Sequence, residues 1–112
     1  MKYMLLIYVN EAAQAKASKD TIDPAYIAYA QAMQKAGVMV GGDRLAPPSS
    51  ATIVRNNDGK TKVLNGPYAD TKEQLAGYFM IEAPDLDAAI SWAARCPGAS
   101  QGAIEVRPIF VM

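Results

Sequence analysis

The chain has 112 residues, enough for one domain with a single hydrophobic core and too few for two. Its eleven basic and eleven acidic residues cancel, so no net charge attracts nucleic acid or an anionic membrane. The single cysteine, Cys96, excludes an intrachain disulfide and makes a reducing compartment the default. We therefore predict one cytoplasmic domain over residues 1–112, with neither a nucleic-acid nor a membrane partner.

The first predicted element is an apolar strand over residues 2–9. It is far shorter than the roughly 20 residues that span a bilayer. Tyr3 and Leu5 alternate with Met4 and Leu6, so both faces of this strand are apolar. Both faces therefore need a cover.

A helix is predicted next, over residues 24–36. Asp23 is a good N-cap, Pro24 suits the first helical position, and Gly37 is a good helix stop. Its inward stripe is predicted to be Tyr26, Ile27, Ala30 and Met33.

A strand over residues 38–45 and a hairpin follow. Gly41-Gly42 within that strand indicate a bulge or a close backbone approach. The hairpin arms are predicted over residues 51–55 and 61–64, joined by the turn Asn57-Asp58-Gly59.

Residues 66–72, which we call the elbow, are dense in turn-formers and charges. Gly66 permits positive φ and Pro67 fixes its own φ, so the chain is expected to reverse near residue 66. Thr71 and Gln74 have the spacing of a capping box, which predicts a short helical turn here.

The last predicted elements are a strand over residues 77–83, a helix capped by Asp85 that ends at Cys96-Pro97, and a strand over residues 104–111. The inward stripe of this helix is predicted to be Leu86, Ala89, Ile90 and Ala93.

The element order is β-α-β-(hairpin)-β-α-β, which predicts an α+β, ferredoxin-like fold with two helices on one face of an antiparallel sheet. The second sheet face also carries apolar residues by alternation. A symmetric partner is the economical cover for it, so we predict a homodimer in which the two sheets face each other.

Three candidate site residues lie in the elbow. Asp70 is a candidate general base or hydrogen-bond acceptor, although the helix-capping role is favoured about two to one. Lys72 is a candidate for steering a ligand, against the commoner reading of a solvated charge. Tyr68 is a candidate hydroxyl donor in a pocket, against an ordinary structural tyrosine.

Asp43 and Arg44 are the other candidates. They are adjacent on a strand, so one of them faces inward or toward a dimer cleft. Arg44 could hold a carboxylate ligand, or pair instead with Asp43, Asp70 or Glu82. Glu105 and Arg107 share one face of the last strand, which suits an ion pair or a polar cleft wall.

No metal or cofactor is expected. The chain contains no histidine, and a metal site would need Asp43, Asp70 and Glu82 to converge. Cys96 precedes a proline at a helix end and has no histidine to activate it, so a buried structural thiol is favoured.

The chain resembles the DGPF-domain family, a branch of the YCII-related proteins, over nearly its whole length. The segments that carry the resemblance are residues 1–8 (MKYMLLIY), 65–75 (NGPYADTKEQL), 77–79 (GYF), 82–87 (EAPDLD), 92–97 (WAARCP) and 105–108 (EVRP). The resemblance implies a ferredoxin-like subunit of a dimeric α/β barrel. For some members it also implies an association with extracytoplasmic-function sigma factors.

The chain departs from the family pattern at two places. Asn65 stands where the family has its namesake Asp, and Tyr68 stands where it has Phe. The His–Asp pair of the broader YCII-related group has no counterpart, because the chain lacks histidine.

Three classes of function follow. The first is a dimer that binds a small organic ligand in a cleft at the sheet end, without turnover and with a regulatory accessory role as one form of it. The second is a cofactor-independent enzyme with Asp70 as base and Arg44 or Tyr68 as electrophilic support. The third is a protein-interaction module for a sigma factor, on the family resemblance alone.

Overall fold

Six strands and two helices form the described part of the chain, which is residues 1–10, 23–69 and 71–111 of a computed structural model. In chain order they are β1 (Lys2–Asn10), α1 (Pro24–Lys35), β2 (Met39–Arg44), β3 (Thr52–Asn57), β4 (Lys60–Asn65), β5 (Glu73–Glu82), α2 (Leu86–Arg95) and β6 (Gly102–Pro108). Short 3-10 turns lie at Pro48–Ser50 and Pro97–Ser100.

The main sheet has the strand order β2-β5-β1-β6, and all neighbouring strands are antiparallel. This order and the two crossover helices define the ferredoxin-like arrangement, so the predicted α+β fold is confirmed. In the sequence, β3 and β4 lie between β2 and β5, and they form a separate two-stranded sheet. This hairpin is not part of the four-stranded sheet, so it is an insertion into the ferredoxin-like fold.

The hydrophobic core lies between the helices and one face of the sheet. The odd-numbered residues of β1, Tyr3 through Val9, are buried there, while the even-numbered ones are half-buried on the other face. Met33 of α1 and Ile81 of β5 complete the fully buried centre. The ring of Tyr29 meets Phe79 edge-to-face at 5.5 Å between centroids, which ties α1 to β5.

The predicted ends of α1 are confirmed and its inward stripe is partly wrong. The Asp23 carboxylate accepts from the Ala25 N–H, and Gly37 has φ +74 after the last turn. Ile27 is exposed, and Tyr29 takes the inward position instead. The Tyr29 hydroxyl donates to the Trp92 carbonyl at 2.6 Å, so its polar end is satisfied within the helical layer.

The stripe predicted for α2 is also only half right. Asp85 caps the helix by accepting from the Ala88 N–H at 2.9 Å. Ala89 and Ala93 are buried, whereas Leu86 and Ile90 are exposed. The small alanine side chains let the helix lie close to the sheet, and that orientation turns the two larger residues outward.

The hairpin turn has the chemistry that the sequence predicts. Asp58 and Gly59 both have positive φ, as a two-residue type I′ turn requires. Every residue of β4 and all of β3 except Ile53 are exposed.

The described residues of the elbow, 66–69 and 71–72, are not helical, which corrects the predicted capping box. Gly66 has φ +108, as the predicted reversal requires. β5 then begins at Glu73, four residues earlier than expected, and Gln74 lies buried within it. The Thr71 hydroxyl donates to the Glu73 carbonyl instead of capping a helical turn.

Two further details position the sheet edges. The register of β2 against β5 shifts between Met39 and Gly41, where a bulge was predicted. β6 ends at Pro108, three residues short of the predicted end, although the Ile109 N–H still donates to the Lys2 carbonyl at 2.9 Å. Among the described helices, none is long and apolar enough to cross a membrane.

Candidate functional site

The face of the main sheet that points away from both helices is the candidate site, and we call it the open face. Cross-strand partners share a face, so the register defines its rows. One complete row is Asp43, Tyr78, Leu6 and Glu105, and the next is Gly41, Met80, Met4 and Arg107. A third row, at the end where β5 begins, is Leu75, Tyr8 and Ala103. The middle of the face is therefore apolar, and its margins are polar.

A phenol–carboxylate pair lies on one margin, between β2 and β5. The Tyr78 hydroxyl donates to the Asp43 Oδ2 atom at 3.1 Å. That hydrogen bond is the main cause of a raised pKa for Tyr78. The strands approach closely here, since a Cβ on Gly42 would meet the Tyr78 carbonyl oxygen at 2.7 Å.

A second phenol–carboxylate pair lies on the opposite side, between β1 and β6. The Tyr8 hydroxyl donates to Glu105 Oε1 at 3.3 Å, and Arg107 Nη2 contacts Glu105 Oε2 at 3.1 Å. Burial raises the pKa of Tyr8, and the charge of Glu105 raises it further. The i, i+2 placement of Glu105 and Arg107 thus gives an ion pair, one of the two alternatives that the sequence left open.

The two phenols of this arrangement can bind a ligand but are not bases. A phenol whose pKa is raised stays neutral near neutral pH, so Tyr8 and Tyr78 act as hydrogen-bonding groups and not as bases. Their oxygens keep lone pairs that accept hydrogen bonds from a bound molecule. The apolar side chains between them, led by Leu6 and Met80, provide contact area without reactive groups.

Asp43 lies on the open face, as do Glu105 and Arg107, whereas the other described candidates do not. Arg44 pairs with Gly77 in the register and, by strand alternation, points to the opposite face. Tyr68 and Lys72 lie in the elbow, outside the strands; the Tyr68 side chain is 80 % exposed. Asp70, the candidate base, lies outside the described residues.

The elbow is held by one buried side chain. The Gln74 amide nitrogen donates to the Ala69 carbonyl at 2.7 Å and to the Thr71 carbonyl at 2.9 Å. Both acceptors belong to the segment that carries Tyr68 and Lys72. The spacing of Thr71 and Gln74 therefore marked a real contact, which braces a loop at the start of β5.

Cys96 is a buried thiol in the helical layer, as the sequence predicts. It is close to Tyr26, with which it shares a hydrogen bond. Burial is the main cause of the raised pKa of Cys96, so the reactive thiolate is disfavoured. Within the described residues, no three acidic or cysteine side chains come together to hold a metal ion.

Sequence reasoning placed Glu105 and Arg107 on one strand face but did not connect them with Tyr8, Tyr78 and Asp43 as a site. Tyr8 and Glu105 are 97 positions apart, and Tyr78 and Asp43 are 35 apart. Strand pairing brings these residues together, so the register of the strands was the information that the sequence analysis lacked.

The fold and this face define a small ferredoxin-like protein with an apolar sheet surface between two phenol–carboxylate pairs. The YCII-related domain model matches residues 1–112, so the chain belongs to the YCII-related family. An uncharacterized protein of Rhizobium meliloti (strain 1021) is 36% identical over 115 residues, covering 97% of this chain and 92% of that protein.

Proposed function

We propose that this protein is a homodimer that binds a small organic ligand between two sheets packed through their open faces. The observation that carries the proposal is the open face itself, with half-buried apolar rows and one phenol–carboxylate pair on each side. An isolated subunit leaves this apolar area in water. The ligand in this proposal lies over the middle of the sheet, whereas the sequence suggested its end.

The chemistry of the face supports a second copy as its cover. Burial of apolar surface contributes about 25 cal/mol per Å², and Met4, Leu6 and Met80 are only half-buried in one subunit. Two-fold symmetry pairs a patch with itself, so the same residues meet from both sides. The margins then supply the polar rim that such interfaces have.

The polar pairs support ligand binding as the purpose of the cleft. Tyr78 with Asp43, and Tyr8 with Glu105, present oxygen acceptors beside an apolar floor, which is the usual composition of small-molecule sites. Binding without turnover is the function proposed, and each phenol serves it as a neutral hydrogen-bonding group.

The experiment that tests this function is native mass spectrometry of gently purified protein. We expect a dimer that retains a non-protein mass. Leu6→Lys places a charge in the middle of the face and is expected to give a folded monomer without that mass. Ile90→Lys, an equally drastic change at an exposed residue of α2, is the matched control and should keep both dimer and ligand.

A second pair of variants separates ligand binding from assembly. Tyr78→Phe and Tyr8→Phe leave the apolar rows intact, so the dimer should persist while the retained mass is lost or reduced. A wild-type monomer would contradict the dimer. A dimer that carries no small molecule at any protein concentration, or one whose mass is unchanged in both variants, would contradict the ligand site.

Within the family we propose the DGPF branch for this chain. The proposal rests on residues 65–68, where β4 passes into the elbow, and on residues 77–79 of β5.

A cytoplasmic setting accompanies the proposal, because the single buried thiol of Cys96 suits a reducing compartment.

A further inference from the structure

The described part of the subunit leaves the β3–β4 hairpin almost entirely uncovered. The two strands pair with each other and with no other described strand. Val54 and Val63, which face each other across the hairpin, are 62 % and 59 % exposed. A lone two-stranded hairpin is marginally stable in water, so an ordered hairpin of this kind calls for a further contact.

The two faces of the hairpin differ in charge. Residues opposite each other in the ladder share a face, and one face consists of Ile53, Arg55, Asn57, Lys60, Lys62 and Leu64. We call this the basic face, since it holds three cations and no carboxylate. The other face consists of Thr52, Val54, Asn56, Thr61, Val63 and Asn65, and it is uncharged.

The basic face has the composition of a binding surface. The Arg55 guanidinium lies 5.6 Å from the centroid of the Tyr68 ring, and Tyr68 and Leu64 are exposed. Arginine and tyrosine are the residue types enriched at interface hot spots. Stacking also holds the Arg55 side chain in place, which lowers the entropy that a contact would cost.

The cations of the hairpin have no acidic partner in the described part of their own chain. The ion pairs found there are the N-terminal amine with Glu82 and Arg107 with Glu105. The chain as a whole has no net charge, so the positive hairpin is balanced by negative charge elsewhere. A second copy of the chain therefore offers acidic residues that can pair with these cations.

That complement lies on the open face. Its carboxylates are Asp43, Glu73, Glu82 and Glu105, against the side-chain cations Lys2 and Arg107. Glu82 and Glu105 take part in the ion pairs above. Asp43 and Glu73 lie toward the sheet end where β2 finishes and β5 starts, and we call them the acidic end.

We propose that, in the homodimer, each copy lays the basic face of its hairpin on the acidic end of the other. Arg55 and Lys62 of one copy then approach Asp43 and Glu73 of the second. The ligand site beside Asp43 and Tyr78 is complete only when the other subunit closes it. This inference rests on the proposed function for the dimer itself and adds the hairpin as its specificity element.

Reversing the charges on the two sides of the proposed hairpin contact tests this inference. One variant carries Arg55→Glu with Lys62→Glu, and the other carries Asp43→Lys with Glu73→Lys. Each homodimer then has like charges at both of its hairpin contacts, whereas a heterodimer has opposite charges at both. Lys35→Glu with Arg95→Glu, on the helical layer, is the control for a charge reversal away from the contact.

Native mass spectrometry of the mixed variants is the readout, with far-UV circular dichroism to confirm folding. We expect the ratio of heterodimer to homodimers to exceed its statistical value by about tenfold at low salt, and the excess to shrink at high salt. The helical-layer control should mix statistically with wild type. If a charge-reversed variant does not fold, a neutral variant replaces it: Arg55→Gln with Lys62→Gln, or Asp43→Asn with Glu73→Gln. Each neutral variant should weaken the dimer.

The outcomes separate this inference from the proposed function. A wild-type dimer whose charge-reversed homodimers are as stable as wild type and mix statistically would overturn the hairpin contact and leave the dimer standing. Neutral variants that dissociate no more readily than wild type would likewise overturn the hairpin contact and leave the dimer standing. A wild-type monomer would overturn both.

Discussion

The β1–β5 ladder and the β3–β4 hairpin are both antiparallel strand pairs, yet they differ in what covers them. Leu5 of β1 is completely buried under the helices, while Val54 of β3 is exposed in the same chain. Pairing gives both elements their backbone hydrogen bonds. Packing is what distinguishes an element that stabilises the subunit from one that calls for a partner.

Truncation of one residue in each element should give the largest contrast. Leu5→Ala leaves a cavity in the core and is expected to lower the free energy of unfolding by about 2 to 5 kcal/mol. Val54→Ala should change it by about 0.5 kcal/mol or less in the monomer, because the side chain is already solvated. Urea unfolding at low protein concentration measures both; equal losses would remove the distinction between the two elements.

Two neighbouring glycines should show a smaller contrast within the sheet. A Cβ on Gly42 would meet Phe79 Cδ1 at 2.6 Å, whereas one on Gly41 would meet nothing within 4 Å. We expect Gly42→Ala to cost about 1 to 3 kcal/mol and Gly41→Ala to be neutral or slightly stabilising. Thermal unfolding of the two variants checks this, and a neutral Gly42→Ala would contradict the close approach of β2 to β5.

Loss of the elbow brace should have a local effect. Gln74→Leu keeps the apolar bulk and removes the donors to the Ala69 and Thr71 carbonyls. We expect a loss of about 1 kcal/mol, with faster amide hydrogen exchange in the elbow than elsewhere. Gln31→Leu, on the exposed side of α1, is the control and should leave exchange in the elbow unchanged.

Alkaline pH should weaken the helical layer through Cys96 and Tyr26. Their ordinary pKa values, 9.0 and 10.0, are raised by burial in the fold. Well below pH 9 both groups are neutral in the folded and in the unfolded chain, so their contribution is complete. As pH rises, the unfolded chain ionises first and the free energy of unfolding falls.

Cys96→Ala should move the start of that decline from near pH 9 to near pH 10, where Tyr26 takes over. Urea unfolding across this range provides the measurement. A decline that begins at the same pH in variant and wild type would contradict the buried, neutral thiol.

Local signals in the sequence were enough to predict most of the fold. Asp23-Pro24 and Asp58-Gly59 act within a few residues, so the helix start and the hairpin turn followed directly. The inward stripes were harder, because the stripe of Tyr26, Ala30 and Met33 can be widened by Ile27 on one side or by Tyr29 on the other. Packing against the sheet makes that choice, and it depends on residues far away in sequence.

The candidate site was predictable only in part, for the same reason. The sequence predicted that one of Asp43 and Arg44 faces inward or toward a dimer cleft. The strand register shows that Asp43 lies on the open face. Its partner Tyr78, and the pairing of Tyr8 with Glu105, depend on strand register and on the bulge between Ile7 and Tyr8. Those features arise from the assembled sheet and leave no local pattern in the sequence.

The most direct test of the covered open face is the rate at which its two methionines are oxidised by hydrogen peroxide. Met4 and Met80 lie in one row of that face, and fully buried Met33 and exposed Met1 are internal references. Peptide mapping should show Met4 and Met80 as slow as Met33 at high protein concentration, and faster on dilution or in Leu6→Lys. Rates between those of Met33 and Met1 that do not depend on concentration would contradict a face covered by a second copy.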